Sequence, residues 1–182
     1  MRTTPETLTE ARRGAGSARE STGLIWLPLT VLLIVGDQLS KAWIVQHFAL
    51  YERTHILPVL DITLMYNTGA AFSFLAEASG WQRWLFVILA ALVGVGIIAW
   101  LGRLRGRSQA LLCCSLALIL AGALGNVIDR LRIGHVVDFV YAHWREAYFP
   151  AFNVADAAIT VGAILLLLDA WGESRKGKRA SS

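Results

Sequence analysis

Residues 81–101 read WQRWLFVILAALVGVGIIAWL, and Arg83 is the only ionisable side chain among these 21 positions. Wound as a helix at 1.5 Å rise per residue, the segment is about 30 Å long, the thickness of a bilayer's hydrocarbon. Its apolar residues fill the whole circumference and leave no polar face for water. Three further windows have the same character: Leu24–Val45 before it, and Ala110–Ile128 and Phe152–Trp171 after it. The chain is therefore predicted to cross a membrane four times. Composition agrees, with 55% of the 182 residues hydrophobic and 16% charged. Soluble domains carry about a quarter charged residues.

Working outward, the basic residues orient the spans. The segment before the first window holds Arg2, Arg12, Arg13 and Arg19, and the short 102–109 loop holds Arg103, Arg105 and Arg107. The end of the chain holds Arg175, Lys176, Lys178 and Arg179, so these three groups contain 11 of the 17 Lys and Arg residues. Four spans gather all three groups at one end, which makes that end cytoplasmic. Both termini then lie inside, and the connections 46–80 and 129–151 face outward. Residues 1–22 are too polar to build a core and are expected to form a disordered tail. The apolar run that follows is too long for a secretory leader and lacks a small-residue cleavage site. The folded domain is expected over 23–172, with a basic tail over 173–182.

The outer connections carry signals of their own. DITLMYN at 61–67 alternates partly, with Ile62, Leu64 and Tyr66 on one side, and Asn67-Thr68-Gly69 follows as a turn signal. The second connection, FVYAHWREAYFPAF at 139–152, is crowded with aromatic residues suited to a membrane–water interface. Cys113 and Cys114 are adjacent within an apolar run, where neighbouring helix positions point apart, so no disulfide is expected.

Ionisable groups inside spans are costly and point to function. Asp37 and Lys41 are four apart on one helix face and can neutralise each other. Asp37 sits roughly 20 Å from the cytoplasmic end, in the outer third of the bilayer, and Lys41 is expected to snorkel outward. GNVIDR sets Asn126 near both Asp129 and Arg130, and Gly134 turns the chain so that LRIGHVVDF returns Asp138 to the membrane surface. In FNVADAAIT, Asn153 and Asp156 share a face, with Thr160 one turn deeper. Asp156 has no basic neighbour in its own segment, so it must be paired across helices or held neutral.

Two carboxylates converging on one outer pocket suit an aspartic hydrolase. Like charges a few ångströms apart do not both ionise, so the pair holds one proton. The ionised member draws a proton from water while the protonated member donates to the scissile carbonyl. Paired acids also move protons in transporters, so a small proton-coupled transporter is the alternative. Its usual signs, internal repeats and mid-membrane helix breaks, are not visible. Ser40 and Lys41 are one apart on a helix and do not face each other, which weighs against a Ser/Lys nucleophile. His135, Asp138 and His143 lack the spacing of a metal site, and His47 and His55 read as interfacial residues. Neither a metal, a cofactor nor a nucleic-acid partner is expected. By chemistry alone Asp129 competes with Asp138 for the dyad.

In order, GDQLSKAWI, MYNTGAAFSF, GNVIDR, GHVVDFV and FNVADAAITVGAILL resemble the blocks of lipoprotein signal peptidase, also called signal peptidase II, over residues 24–172. The resemblance implies an all-α integral membrane protein with four transmembrane helices. To these it adds a small extracytoplasmic β-cradle in the first outer connection and a mobile helix in the second. It implies an aspartic endopeptidase of the bacterial inner membrane, acting near the periplasmic face. Its substrates would be lipid-modified prolipoproteins, cut just before the diacylglyceryl cysteine, with membrane lipid around the site and globomycin as an inhibitor. The family's catalytic acids fall on Asp138 and Asp156. Its supporting residues fall on Asp37, Lys41, Asn67, Gly69, Asn126, Asp129, Arg130 and Asn153. Oligomeric state and substrate preference are not implied.

Overall fold

The computed structural model describes residues 21–69, 80–145 and 147–180, with only the backbone of 177–180. The expected disordered tail lies outside these residues except for Ser21 and Thr22, as does the FSFLAEAS stretch of the first outer connection.

Four long helices carry the apolar windows. A short 3-10 turn at Gly23–Trp26 leads into α1 (Leu27–His47), which has Pro28 in its first turn, where the missing N–H costs nothing. After it come α2 (Trp81–Leu101), α3 (Ala110–Ile133) and α4 (Val154–Ala180). All four are long and apolar enough to cross a membrane. Two run further than hydropathy indicates. The α3 helix continues to Ile133 because Arg130 and Arg132 lie in its last turn, where cations meet the negative end of the helix dipole. It stops at Gly134, as expected, with φ +85°. Beyond Trp171, α4 continues through polar sequence, with a Lys176–Glu173 pair one turn apart at 2.7 Å.

The α3 helix is central. Of its most apolar 18 residues 44% are buried, against 17% in each of the other spans. Leu32, Leu39, Leu92, Val95 and Leu167 point outward, as lipid-facing residues should. Packing between α3 and α4 relies on glycine: a Cβ at Gly122 would overlap the Ala155 carbonyl, and one at Gly162 would lie 2.8 Å from the Ser115 carbonyl. One apolar core, with Leu101, Cys113, Leu116 and Leu120, joins α2 to α3. At that end Gly106 N–H donates to Ser21 O (2.8 Å), tying the start of the fold to the basic 102–109 loop.

At the opposite end both long connections form one antiparallel sheet, in the order β1 (Arg53–Leu57), β2 (Leu60–Asn67), β3 (Val136–Trp144) and β4 (Ala147–Tyr148). The strand expected at 61–67 is β2. The second connection corrects the expectation: residues 136–144 form a strand, and no helix occupies the described part of 129–151 beyond the end of α3. VVDFVYAHW is rich in β-branched and aromatic residues, and β2 offers a hydrogen-bonding edge for it. The molecule is therefore mainly helical with a four-stranded sheet across the two long connections, not all-α. Ile44 of α1 packs with Leu64, Val137 and Phe139, which seats the sheet on the helix ends.

Candidate active site

The site lies where β3 and the N-terminus of α4 meet the C-terminal turns of α1 and α3. Met65 of β2 pairs with Asp138 of β3, so the sheet register delivers this acid beside the helices. Asp156 arrives on the first turn of α4 through a local motif. Asn153 is the residue before the helix, and its Oδ1 accepts from Asp156 N–H (2.9 Å). Asp156 Oδ2 in turn accepts from Asn153 N–H (3.2 Å). This reciprocal pattern is a capping box with aspartate at the third helical position. The sequence carries it as N-x-x-D before an apolar run, a local signal for the helix start.

Amide donors hold both acids. Asn67 Nδ2 donates to Asp138 Oδ2 (3.0 Å) and Asn153 Nδ2 donates to Asp138 Oδ1 (2.7 Å). Asn126 Nδ2 donates to Asp156 Oδ1 (2.7 Å). Asn153 Nδ2 also reaches Asn126 Oδ1 (3.2 Å), so the two carboxylates are joined through two amides. Neither acid has an ion-pair partner among the described residues. Burial first, and then the neighbouring Asp156, pushes the Asp138 carboxyl from its ordinary 3.8 up to about 7, against the opposing donations of Asn67 and Asn153. Asp138 therefore holds or shares a proton near neutrality.

Asp37, Lys41 and Asp129 form a separate group beneath this pair. Lys41 Nζ lies 2.8 Å from Asp37 Oδ2 and 2.9 Å from Asp129 Oδ2. Its side chain is 3% exposed, so it does not snorkel. A second carboxylate from α3 meets it instead and holds the ammonium inside. Asp37 Oδ1 accepts from Ala155 N–H (2.9 Å), capping α4 from another helix. Asp129 accepts from Gln38 Nε2 (2.8 Å) and from Val137 N–H (3.2 Å), anchoring the strand that carries Asp138. Lys41 Nζ also donates to Asn126 Oδ1 (3.2 Å), which fixes the orientation of that amide toward Asp156. All three charged groups are thus paired with one another and with backbone or amide groups. Gln38 belongs with them and was not singled out from the sequence, although it adjoins Asp37. Ser40 turns its hydroxyl back to Asp37 O (2.8 Å), away from nucleophilic use.

Arg130 Nη2 donates to Gly69 O (2.9 Å), and Gly69 N–H donates to Asn67 Oδ1 (3.0 Å), so the expected turn after β2 is locked to α3. The cavity beside the acids has a volume of about 1000 Å³. Asn67, Asn126, Arg130, Asp138 and Asp156 line its polar floor, and Tyr141, Tyr148 and Phe149 form an aromatic wall. Ile159 and Val161 extend it along α4, and Val161 is 48% exposed on the helix's outer side. The cavity therefore joins a polar floor to a lipid-facing flank.

Comparison with known proteins matches the chain to a family. The model of the family described as signal peptidase (SPase) II matches residues 29–172. The lipoprotein signal peptidase of Pseudomonas aeruginosa (strain PAO1) is 51% identical over 159 residues, covering 86% of this chain and 94% of the relative. That of Pseudomonas syringae pv. tomato is 52% identical over 157 residues, covering 85% and 90%. Among solved structures, a bacterial membrane enzyme superposes with a TM-score of 0.72 at 27% identity, covering 82% of this chain and 89% of that one.

Proposed function

The chain belongs to the signal peptidase II family, and from that premise we propose that it is an aspartic endopeptidase with Asp138 and Asp156 as its catalytic pair. Removal of signal peptides from prolipoproteins is the activity of this family's relatives at about half identity, and it is the activity of this chain. The transporter alternative has no support among the relatives.

One observation carries the aspartic mechanism. A buried Asp138 and a half-buried Asp156, free of basic partners among the described residues, share one amide-lined cavity, while the third acid nearby, Asp129, is paired with Lys41. A dyad must hold one proton between two carboxyls, and a cation bound to either would expel it. In the proposed step, water sits between the acids and the scissile carbonyl. The ionised carboxylate takes the water proton as oxygen attacks carbon, and the protonated partner gives its proton to the carbonyl oxygen. Collapse of the tetrahedral intermediate returns a proton to the leaving amine and regenerates the shared-proton state. Asn67, Asn126 and Asn153 hold both carboxyls in place through the cycle.

The substrate is a prolipoprotein whose cysteine carries a diacylglyceryl group. The polar floor takes the peptide, and the flank along Ile159 and Val161 takes the acyl chains. The basic end of the bundle is cytoplasmic, so the dyad acts at the periplasmic face of the inner membrane. Tyr141, Tyr148 and Phe149 close over the bound peptide, and globomycin competes for the same cavity. Purified protein in detergent, given a lipid-modified prolipoprotein, should release the signal peptide without added metal. Cleavage that survives loss of both acids would reject this mechanism.

A further inference from the structure

On the same sheet, outside the cavity's lining, lies a group that peptide cleavage does not use. His55 of β1, Asp61 of β2 and His143 of β3 bring one ligand atom each to within 4.8 Å of one another. None of the three lines the cavity. His55 and Asp61 face each other across the β1–β2 hairpin, where they are register partners. His143 joins from β3, held by its backbone N–H donating to Val59 O (2.9 Å) and by its ring against Tyr148 at 5.2 Å.

The Asp61 carboxylate is fully buried and unevenly satisfied. His55 Nδ1 and His143 Nε2 both face its Oδ1, the latter at 3.3 Å. Its Oδ2 is buried without a hydrogen bond and is met by a long ion pair from Arg53 Nε at 3.9 Å. Burying an ionised carboxylate costs free energy, and a cation held at Oδ1 between the two imidazoles offsets that cost. Two imidazoles and a carboxylate are a recurrent ligand set for zinc, and His55, whose side chain is 77% exposed, leaves the group open to solvent. Magnesium and calcium prefer oxygen-only sites, which this is not.

We propose that His55, Asp61 and His143 form a divalent transition-metal site of the zinc class, which staples β1, β2 and β3 together. Zinc–nitrogen bonds of about 2.0–2.1 Å require ligand atoms a little over 3 Å apart. His143 Nε2 already meets that spacing from Asp61 Oδ1 at 3.3 Å, whereas the exposed His55 ring, at 2.5 Å, must swing back from the carboxylate to admit the ion. The buried Nδ1 of His143 makes no hydrogen bond to reinforce the ring's seat against Tyr148, which weakens the site by about 10–100-fold relative to one with that bond. Arg53, held over Tyr141 at 4.5 Å, opposes the cation.

The test uses tag-free full-length protein in detergent, stripped with chelator and titrated with zinc alone. One zinc per chain should bind, raising the unfolding temperature, and cobalt in its place should show the visible absorption of a low-symmetry site. His55→Gln and His143→Gln should each weaken zinc binding at least tenfold, whereas Arg53→Gln should tighten it several-fold. His55 is exposed enough that its substitution leaves folding intact should His143→Gln misfold. Absence of saturable binding at micromolar zinc would overturn the proposal, as would binding that His55→Gln leaves unchanged.

Discussion

Lys41→Met removes the cation on which three elements depend, and its cost follows from the geometry. The ammonium lies within 2.9 Å of two buried carboxylates and 3.2 Å from the Asn126 amide oxygen. Without it, Asp37 and Asp129 face each other uncompensated, although each keeps backbone or amide donors. Breaking a buried ion pair by removing one partner costs about 3–5 kcal/mol. For a domain of this size that lowers Tm by on the order of 10 °C. Asn126 would also lose its orienting partner, so the amide held against Asp156 is free to turn, and cleavage should fall by about 10²-fold. The assay pairs thermal unfolding in detergent with turnover of a lipid-modified substrate, normalised to folded protein. Adding Asp37→Asn and Asp129→Asn to Lys41→Met removes the stranded charges and should recover much of the lost Tm. A Lys41→Met protein with unchanged Tm would refute the brace. If it were also inactive, Lys41 would be a participant in the chemistry.

Further outcomes follow from the same geometry. Asp138 keeps a proton in the folded state from its ordinary 3.8 up to about 7, whereas the unfolded chain has released it. Its contribution to stability therefore declines as pH rises through that window, and Asp138→Asn should be the more stable protein above pH 7, the difference vanishing near pH 4. Cleavage should decline on the alkaline side of about 7, as the shared proton is lost; a rate flat to pH 9 would contradict proton sharing. Spin labels at Trp144→Cys and Glu52→Cys should change separation when globomycin is added, because the aromatic wall closes; unchanged distances would make it a passive interfacial anchor. In intact cells Arg105→Cys should be shielded from an impermeant thiol reagent while Glu52→Cys labels, and labelling at Arg105 without lysis would invert the topology.

The four spans are legible in the sequence because a 21-residue apolar run needs no tertiary partner to declare itself. What hydropathy missed at the ends of α3 and α4 is helix carried past the hydrocarbon by capping and charge pairing. The fate of Lys41 was not legible: its snorkelling followed from one helix alone, and Asp129 reaches it from another. The 136–144 strand is legible in its β-branched and aromatic residues, although the family resemblance implies a helix in that connection. The N-x-x-D capping box at Asn153 was equally readable. His55, Asp61 and His143 come from three strands, and only the hairpin register between the first two is local enough to be inferred.

The central claim is that Asp138 and Asp156 are the reacting pair while Asp129 is a brace. Its most direct test is cleavage normalised to folded protein in the membrane for Asp138→Asn, Asp156→Asn and Asp129→Asn. The account predicts that the first two abolish cleavage and leave a stable protein, whereas Asp129→Asn loses stability together with activity, because it surrenders Lys41, Gln38 and the Val137 N–H. Substantial normalised cleavage by Asp138→Asn, with none from a stable Asp129→Asn, would contradict it and move the dyad to Asp129 and Asp156.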